Sequence, residues 1–231
     1  MALIGLPQAR MVAAAPDPDK PIPLPSVLQD KMWQVGRLYD FKLDGFMRTA
    51  KFLHPIVMKT RDRQILFEFK EKPLQIRVVM TPGGSIIERR ASSSEDWKLV
   101  SGRDRLEKIL DSDVAYEDLG LDFLRWSTVK PLGLDSIMTL TAWAYESTPP
   151  GLSSYAKTRY WISADYLAVL RVDAYNAQNQ VIKRVEVNGV MKVGQAYTIK
   201  EMMVSSMIPG RDLSRTRTYI EIREAKPGSG L

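Results

Sequence analysis

The sequence contains no cysteine and only one histidine, His54, among its 231 residues. Without cysteine there can be no disulfide framework, thiolate zinc site, iron-sulfur cluster or cysteine nucleophile. Serine triads, zinc hydrolases and most transition-metal sites need at least one placed imidazole. His54 stands directly before Pro55, in a stretch expected to be extended, where a lone histidine is most often an ordinary surface or strand-start residue. We therefore expect a protein that is not an enzyme and that has neither a cofactor nor a metal site.

Long apolar runs are also missing, because no stretch reaches the roughly 18 residues that indicate a membrane-spanning helix. Apolar residues make up 45% and charged residues 26% of the chain, values that exclude disordered and low-complexity classes. The net charge of +6 favours contact with anionic surfaces such as lipid headgroups, nucleic acid or acidic proteins. The absence of a lipobox cysteine favours a protein without a lipid anchor.

The first 25 residues are rich in proline, which excludes a helix or a central strand there. Residues 2–15 resemble the end of a secretory signal, with a short apolar piece followed by three alanines at positions 13–15. Two interpretations stay open: a clipped signal peptide whose true start lies upstream, or a flexible cytosolic tail. We predict a leader and linker over residues 1–25, one domain over 26–225 and a flexible tail over 226–231.

A helix is predicted directly after this linker. Ser26 and Gln29 have the spacing of a capping box, and Gly36 supplies a stop. Its apolar residues fall on one face at helical spacing: Leu28, Met32 and Val35.

Beyond Gly36 the apolar period changes to two, which is typical of half-buried antiparallel strands. The alternation predicts strands over residues 39–43, 65–69, 74–80, 85–91, around 97, 137–147, 157–164, 167–175, 181–193, 195–207 and 214–224. A tight turn is predicted at residues 82–85, and one or two short helices at 103–124, with Ser112 and Asp113 as candidate caps. About a dozen strands in sequence order indicate a mainly β meander.

A meander with few helices can close on itself, or it can stay partly open and cover its apolar face with helices, which leaves room for a ligand. Flexible thioethers suit a surface that accepts acyl chains of variable shape, although plain core filling is an alternative for each methionine. The methionines in or at the ends of the predicted strands are Met58, Met80, Met138, Met202, Met203 and Met207.

The order of the motifs resembles the LolA-like outer-membrane lipoprotein-sorting proteins over residues 26–225. The motifs that carry the resemblance are residues 116–119 (YEDL), 123–126 (FLRW), 160–162 (YWI), 171–175 (RVDAY) and 183–187 (KRVEV). It implies a curved antiparallel sheet that forms an unclosed β-barrel, covered by a few short α-helices, with a hydrophobic cavity for lipoprotein acyl chains. It also implies a periplasmic carrier that is not lipid-anchored.

Under this hypothesis the strand alternation assigns residues to a lipid-binding cavity and to a lid. The cavity residues are Phe67, Phe69, Ile76, Val78, Met80, Trp143, Tyr160 and Met203. The lid residues are Met32, Leu119 and Phe123. The function is then a non-enzymatic periplasmic carrier, a soluble monomer, that delivers lipid or lipoprotein acyl chains toward the outer membrane. The rival interpretation is an envelope interaction or sensor domain of the same fold with a packed interior.

Two charged clusters are candidates for further sites. Asp111, Asp113, Glu117 and Asp118 resemble a calcium loop only faintly, because the glycine of the EF-hand is missing, so capping or solvation is favoured. A basic strand face could meet lipid phosphates, inner-membrane export machinery or an acidic partner, or could simply be solvated. It is formed by Arg211, Arg215, Arg217 and Arg223. No recognisable nucleic-acid module is present, so nucleic acid is not expected as a partner.

Overall fold

The structure is a computed structural model that describes residues 20–35, 38–194, 196–228 and 230–231. Within these residues it contains two α-helices, two 3₁₀ turns and thirteen strands. The helices are α1 (Pro25–Val35) and α2 (Tyr116–Leu119), and the 3₁₀ turns are Gly102–Leu106 and Asp122–Leu124. The first strands are β1 (Leu38–Arg48), β2 (Leu53–Asp62), β3 (Gln64–Phe69), β4 (Leu74–Thr81), β5 (Gly84–Arg90) and β6 (Lys98–Leu99). The others are β7 (Thr128–Ile137), β8 (Leu140–Thr148), β9 (Lys157–Ser163), β10 (Val169–Tyr175), β11 (Val181–Val193), β12 (Ala196–Met207) and β13 (Ser214–Pro227).

All thirteen described strands belong to one antiparallel sheet in the order β6-β5-β4-β3-β2-β1-β13-β12-β11-β10-β9-β8-β7. Two meanders are thus joined through the pairing of the first strand with the last. The sheet is not closed into a barrel in the described part of the chain, because β6 and β7 form its two edges. The predicted mainly β fold with an unclosed antiparallel sheet is confirmed.

The chain between the two edge strands, residues 100–127, crosses one face of the sheet. We call it the middle segment, and the face that it shares with α1 the inner face. Over the N-terminal meander this segment packs its own apolar residues onto the strands. The buried members of this first cluster are Met47, Ile56, Phe67, Phe69, Ile76, Val78, Ile87, Val100, Ile109, Val114, Tyr116, Val204 and Ile220.

A second cluster lies over the C-terminal meander, where α1 and the end of the middle segment meet β8, β9 and β10. Its buried members are Leu28, Phe123, Leu124, Trp143, Tyr145, Tyr160, Ile162 and Val172. Val185 of β11 is half-buried and packs against both clusters, so the two are continuous.

The predicted strands agree with the observed ones except for β2 and β7, which were not singled out. Pro131 and Gly133 interrupt the β7 pattern, and the pairing with β8 shifts between them. Proline is tolerated there because β7 is an edge strand with only one partner. Residues 137–139, predicted as the start of the next strand, instead end β7 and turn into β8.

The predicted middle helices are shorter than expected, and the predicted caps are wrong. The residue before α2 is Ala115, whose N–H donates to Asp118 Oδ2 at 2.7 Å. Ser112 and Asp113 lie further upstream and make other hydrogen bonds. The predicted leader at residues 2–15 and the Gly36 stop lie outside the described residues. Neither described helix has the length and hydropathy to span a membrane.

Candidate functional site

Helix α1 is fixed to the inner face by few side chains. Leu28 is the one residue of α1 that is buried among those whose side chains are described, with 1% of its surface exposed. Met32 is half-buried and packs against the second cluster. The ring of Trp33 lies under the guanidinium of Arg63 of the β2–β3 turn, 3.4 Å from its carbon to the ring centroid.

Gln29 donates to the carbonyl oxygen of Trp126 at 2.9 Å, and Arg63 donates to that of Trp33 at 2.8 Å. Helix α1 is therefore held by one fully buried leucine, worth about 1.5–3 kcal/mol, and by a few polar contacts.

The segment that leads into α1, residues 20–24, has neither helix nor strand. It is held by hydrogen bonds to its carbonyl oxygens, by an ion pair of Lys20 with Asp165 and by Ile22, which packs against the second cluster. Trp143 Nε1–H donates to the carbonyl oxygen of Lys20 at 3.2 Å. The hydroxyl of Tyr145 donates to the carbonyl oxygen of Pro23 at 2.7 Å. Both donors point from β8 toward the inner face, so this entry segment covers the edge of the second cluster.

A groove of about 440 Å³ runs between the entry segment, α1 and β8. Its lining residues are Lys20, Pro21, Ile22, Pro23, Val27, Lys31 and Trp143. The volume lies within the roughly 300–1,000 Å³ of small-molecule sites. Lys31 is exposed at this groove, and the amine of Lys20 forms an ion pair with Asp165.

Below the groove the second cluster is aromatic. Tyr145 and Tyr160 are paired across β8 and β9 and stack with ring centroids 5.8 Å apart. Phe123 packs on Tyr160 with ring centroids 5.0 Å apart. Burial raises the pKa of Tyr145 to about 12, and burial together with the nearby Tyr145 also raises the pKa of Tyr160. Both hydroxyls therefore stay protonated at neutral pH and are able to donate a hydrogen bond.

The middle segment, unlike α1, is held by acidic side chains. Asp113 is buried and accepts hydrogen bonds from Ser206, Thr216 and Thr218 of β12 and β13. Asp118 of α2 accepts from Lys183 of β11 at 2.6 Å.

A further hydrogen bond to Asp118 and a third carboxylate, Asp122, extend this anchoring. Asp118 also accepts a hydrogen bond from the Tyr155 hydroxyl. Asp122 accepts from Ser85 of β5 at 2.9 Å and, within the middle segment itself, from Arg105 at 2.6 Å and Arg125 at 2.8 Å. The two covers on the inner face thus differ in kind, because buried and half-buried carboxylates anchor the middle segment to the strands, whereas α1 has one buried leucine and no such carboxylate among its described residues.

The structure divides the predicted site residues between the two clusters. Phe67, Phe69, Ile76 and Val78 lie in the first cluster, with Leu119 half-buried against it. Trp143, Tyr160 and Phe123 lie in the second, with Met32 half-buried against it. Val185 packs against both clusters. The predicted site residues therefore lie in two adjoining clusters.

Two predicted cavity residues are not brought together with the rest. Met80 is half-buried on the strand face of Ile76 and Val78, near the end of β4. Met203 lines a shallow groove of about 110 Å³ with Arg184 and Ser205, whereas its neighbours Met202 and Val204 pack in the first cluster. Met203 thus faces away from the inner face, because successive strand residues alternate between faces.

Sequence reasoning missed Tyr145 and the entry segment as parts of this region. Tyr145 stands two residues after Trp143, so the alternation that selected Trp143 also places Tyr145 on the inner face. The hydrogen bonds of the entry segment to Trp143 and Tyr145 had no signal in the sequence, because their acceptors are backbone carbonyl oxygens. His54, expected at a strand start, is buried in β2 and stacks on Phe52 with ring centroids 5.7 Å apart.

The opposite, outer face of the sheet carries networks of charge. Glu146 of β8 is hydrogen-bonded or ion-paired with Lys130, Lys157 and Arg159 at 2.8–3.1 Å. Burial disfavours its charge, but the hydrogen bonds from these cations outweigh burial and lower the pKa of Glu146 to about 2.

A second buried carboxylate, Asp173, is also paired with cations, namely Arg171 and Arg184. The residues of the predicted basic face lie on or just before β13, where Arg215, Arg217 and Arg223 are exposed. Within the described ranges no group of three or more potential ligands could hold a metal ion.

Comparison with known proteins places the chain in a family and a fold. A family model described as "uncharacterized protein" matches residues 92–231, more than half of the chain. The chain belongs to that family. No curated protein matches the sequence.

Several solved structures share the fold of this chain, although their sequence identity to it is low. A DUF1329 family protein from Desulfovibrio piger is 17% identical, with a TM-score of 0.69 over 90% of this chain and 93% of that chain. A protein from Vibrio parahaemolyticus described as an outer membrane lipoprotein-sorting protein domain is 14% identical, with a TM-score of 0.73 over 88% and 92%. A LolA superfamily protein from Nitrosomonas europaea is 15% identical, with a TM-score of 0.59 over 87% and 92%. The LolA-like fold that the sequence motifs implied is confirmed.

Proposed function

We propose that the protein binds the acyl chains of a lipid or lipoprotein on the inner face of the C-terminal meander, beneath α1 and the entry segment. The observation that carries the proposal is the weak cover of an aromatic and aliphatic surface, where Leu28 supplies the one buried side chain among those described in α1. The adjoining groove of about 440 Å³ gives an acyl chain its way in.

The energetics favour exchange of α1 contacts for ligand contacts. Each buried methylene is worth about 0.8 kcal/mol, so about four methylenes match the burial of Leu28. A chain of ordinary length exceeds this by several methylenes, and the surplus is available for affinity. Binding and release then need only the displacement of α1, while the anchored middle segment keeps the sheet in shape. No covalent step is involved, and the protein is not an enzyme.

The fold supports a location and a cargo for this activity. Two of the similar structures come from proteins described as lipoprotein-sorting or as members of the LolA superfamily. We therefore infer that the protein is a monomeric carrier in the periplasm, one domain over residues 26–225, that moves acyl-chain cargo toward the outer membrane. The exposed amine of Lys31 beside the groove suits an anionic headgroup.

A second candidate function is favoured by the first cluster. Ile76, Val78 and Ile87 there have no exposed surface, and the middle segment lies over them. A packed inner face suits a domain that binds a protein partner through its outer surface. This candidate predicts that acyl chains do not enter.

Quenching of tryptophan fluorescence by a brominated fatty acid tests the proposed function and locates the site. Trp143 lines the groove, whereas Trp97 lies beside Arg77 and Arg90 over the N-terminal meander. We expect saturable quenching in the wild-type protein that is reduced in Trp143→Phe and kept in the matched control Trp97→Phe. Absence of quenching, or quenching lost only in Trp97→Phe, would overturn the proposed site.

A further inference from the structure

The inner face beneath the entry segment carries three hydrogen-bond donors in apolar surroundings. Trp143 and Tyr145 stand two residues apart on β8 and therefore share a face. Tyr160 of β9 is the direct cross-strand partner of Tyr145. The three belong to one buried hydrophobic cluster, whose other buried members are Leu28, Phe123, Leu124, Ile162 and Val172.

Two of these donors are engaged by carbonyl oxygens of the entry segment. The indole N–H of Trp143 meets the carbonyl oxygen of Lys20, and the hydroxyl of Tyr145 meets that of Pro23. Neither acceptor belongs to a helix or strand. The ends of the segment are also held, because Lys20 forms an ion pair with Asp165 and the carbonyl oxygen of Leu24 accepts from the N–H of Leu28 at 2.9 Å.

The third donor, the hydroxyl of Tyr160, differs from the other two in its hydrogen bonding. Tyr160 has no exposed surface, and its hydroxyl oxygen has no hydrogen-bond partner among the described residues. Buried hydroxyl groups nearly always find a partner, because burial without one is unfavourable. The stacking of Tyr160 on Tyr145 keeps this donor in the same patch as the two that bind carbonyl oxygens.

We propose that Trp143, Tyr145 and Tyr160 form a site for the carbonyl oxygens of acyl ligands, and that the entry segment competes for two of these donors with its own carbonyl oxygens. This inference rests on the proposed function and names the substrate class: acyl chains joined through an ester or an amide. A phosphate or carboxylate does not suit the site, because all three donors are neutral and buried charges need a charged partner.

Three probes of equal chain length test the inference in the full-length protein: methyl dodecanoate, N-methyldodecanamide and dodecyl methyl ether. The first two carry an ester and an amide carbonyl, and the ether has none. Each is measured by its displacement of diphenylhexatriene, a hydrocarbon probe. Since one hydrogen bond contributes modestly to net affinity, we expect the carbonyl probes to bind roughly 2- to 10-fold more tightly than the ether.

Variants assign this preference to residues. Tyr145→Phe and Tyr160→Phe should each reduce the ratio of carbonyl to ether affinity, while Tyr166→Phe, an exposed control in the β9–β10 turn, keeps it. Tyr160→Phe should also leave the melting temperature equal or higher, because it removes an unpaired hydroxyl. A preference for only the ester or only the amide would identify the source of the carbonyl group.

The outcomes separate this inference from the proposed function. If the ether binds as tightly as both carbonyl probes, or if the variants keep the wild-type ratio, the carbonyl site is wrong and acyl binding stands. If none of the three displaces diphenylhexatriene, the proposed function itself fails.

Discussion

Asp113 and Thr218 exchange two hydrogen bonds across the inner face. The Asp113 N–H donates to Thr218 Oγ1 at 2.8 Å, and Thr218 Oγ1 donates to Asp113 Oδ2 at 3.0 Å. Ser206 and Thr216 donate to Asp113 Oδ1 at 2.6 Å each. The pair thus ties the middle segment to β12 and β13, near the centre of the sheet.

Replacing Asp113 by alanine should destabilise the fold by roughly 2–4 kcal/mol, because hydrogen bonds to a charged group are strong and three hydroxyls lose their acceptor. Urea unfolding followed by circular dichroism measures this change. The matched control is Asp111→Ala, since Asp111 is exposed and two residues away. Equal stability of the two variants would contradict the anchoring role of Asp113.

The charge network around Glu146 should make stability depend on pH. The folded pKa of Glu146, about 2, lies below the ordinary value of 4.5. Its contribution to the free energy of unfolding is therefore complete above about pH 4.5 and is lost as pH falls toward 2, on the order of a few kcal/mol in all.

Glu146→Gln should flatten the pH dependence of unfolding in this acidic window and lower stability at neutral pH. Urea unfolding of the wild-type and variant proteins across the window gives the difference. Glu71→Gln, at an exposed position, should keep the wild-type slope. A Glu146→Gln curve parallel to the wild type would show that the three cations do not stabilise the ionised carboxylate.

Gly45 of β1 permits a close approach of β13. A Cβ atom at this position would lie 2.1 Å from the carbonyl oxygen of Glu221, a backbone atom that cannot rotate away. We expect Gly45→Ala to cost about 1–3 kcal/mol or more, measured as a lower midpoint of thermal unfolding. Gly189→Ala in β11 is the control, because its nearest contact would be an ordinary 3.7 Å. Equal melting temperatures would mean that β1 and β13 are less closely packed than described.

Leu28→Ala tests whether α1 is the part that moves. The substitution weakens the closed position of α1, and a ligand that needs the open position then binds more tightly. Truncating a buried leucine costs about 2–5 kcal/mol, so the apparent affinity for a fluorescent fatty acid should rise by roughly tenfold or more. Leu24→Ala, at a position 70% exposed, should leave the affinity unchanged. Weaker binding in Leu28→Ala would show instead that α1 is a fixed wall of the site.

Much of the fold could be predicted from the sequence, because one-face burial leaves a period of two. The alternation around Phe67 and Ile76 predicted strands and burial correctly, and these residues pair across β3 and β4. The pattern failed where a strand is an edge, as at Pro131 in β7. It also failed where short helices owe their shape to tertiary anchors, as at Asp113.

The candidate site could be predicted only in part. Alternation places Trp143 and Tyr160 on the inner face, but it cannot show which part of a continuous apolar face is weakly covered. That distinction depends on which contacts hold α1 and the middle segment. The alternation in the sequence also failed to show that Met203 and not Met202 faces away from the inner face, because a shift of one residue in register exchanges the two faces.

The most direct test of the account is native mass spectrometry of the protein purified from the periplasm of a Gram-negative host, with lipid analysis of an organic extract. The account predicts an additional mass at defined stoichiometry that corresponds to an acyl lipid or lipoprotein, and its loss after delipidation. A single mass equal to the chain alone, together with no binding of added fatty acid, would contradict it and favour the packed, partner-binding domain.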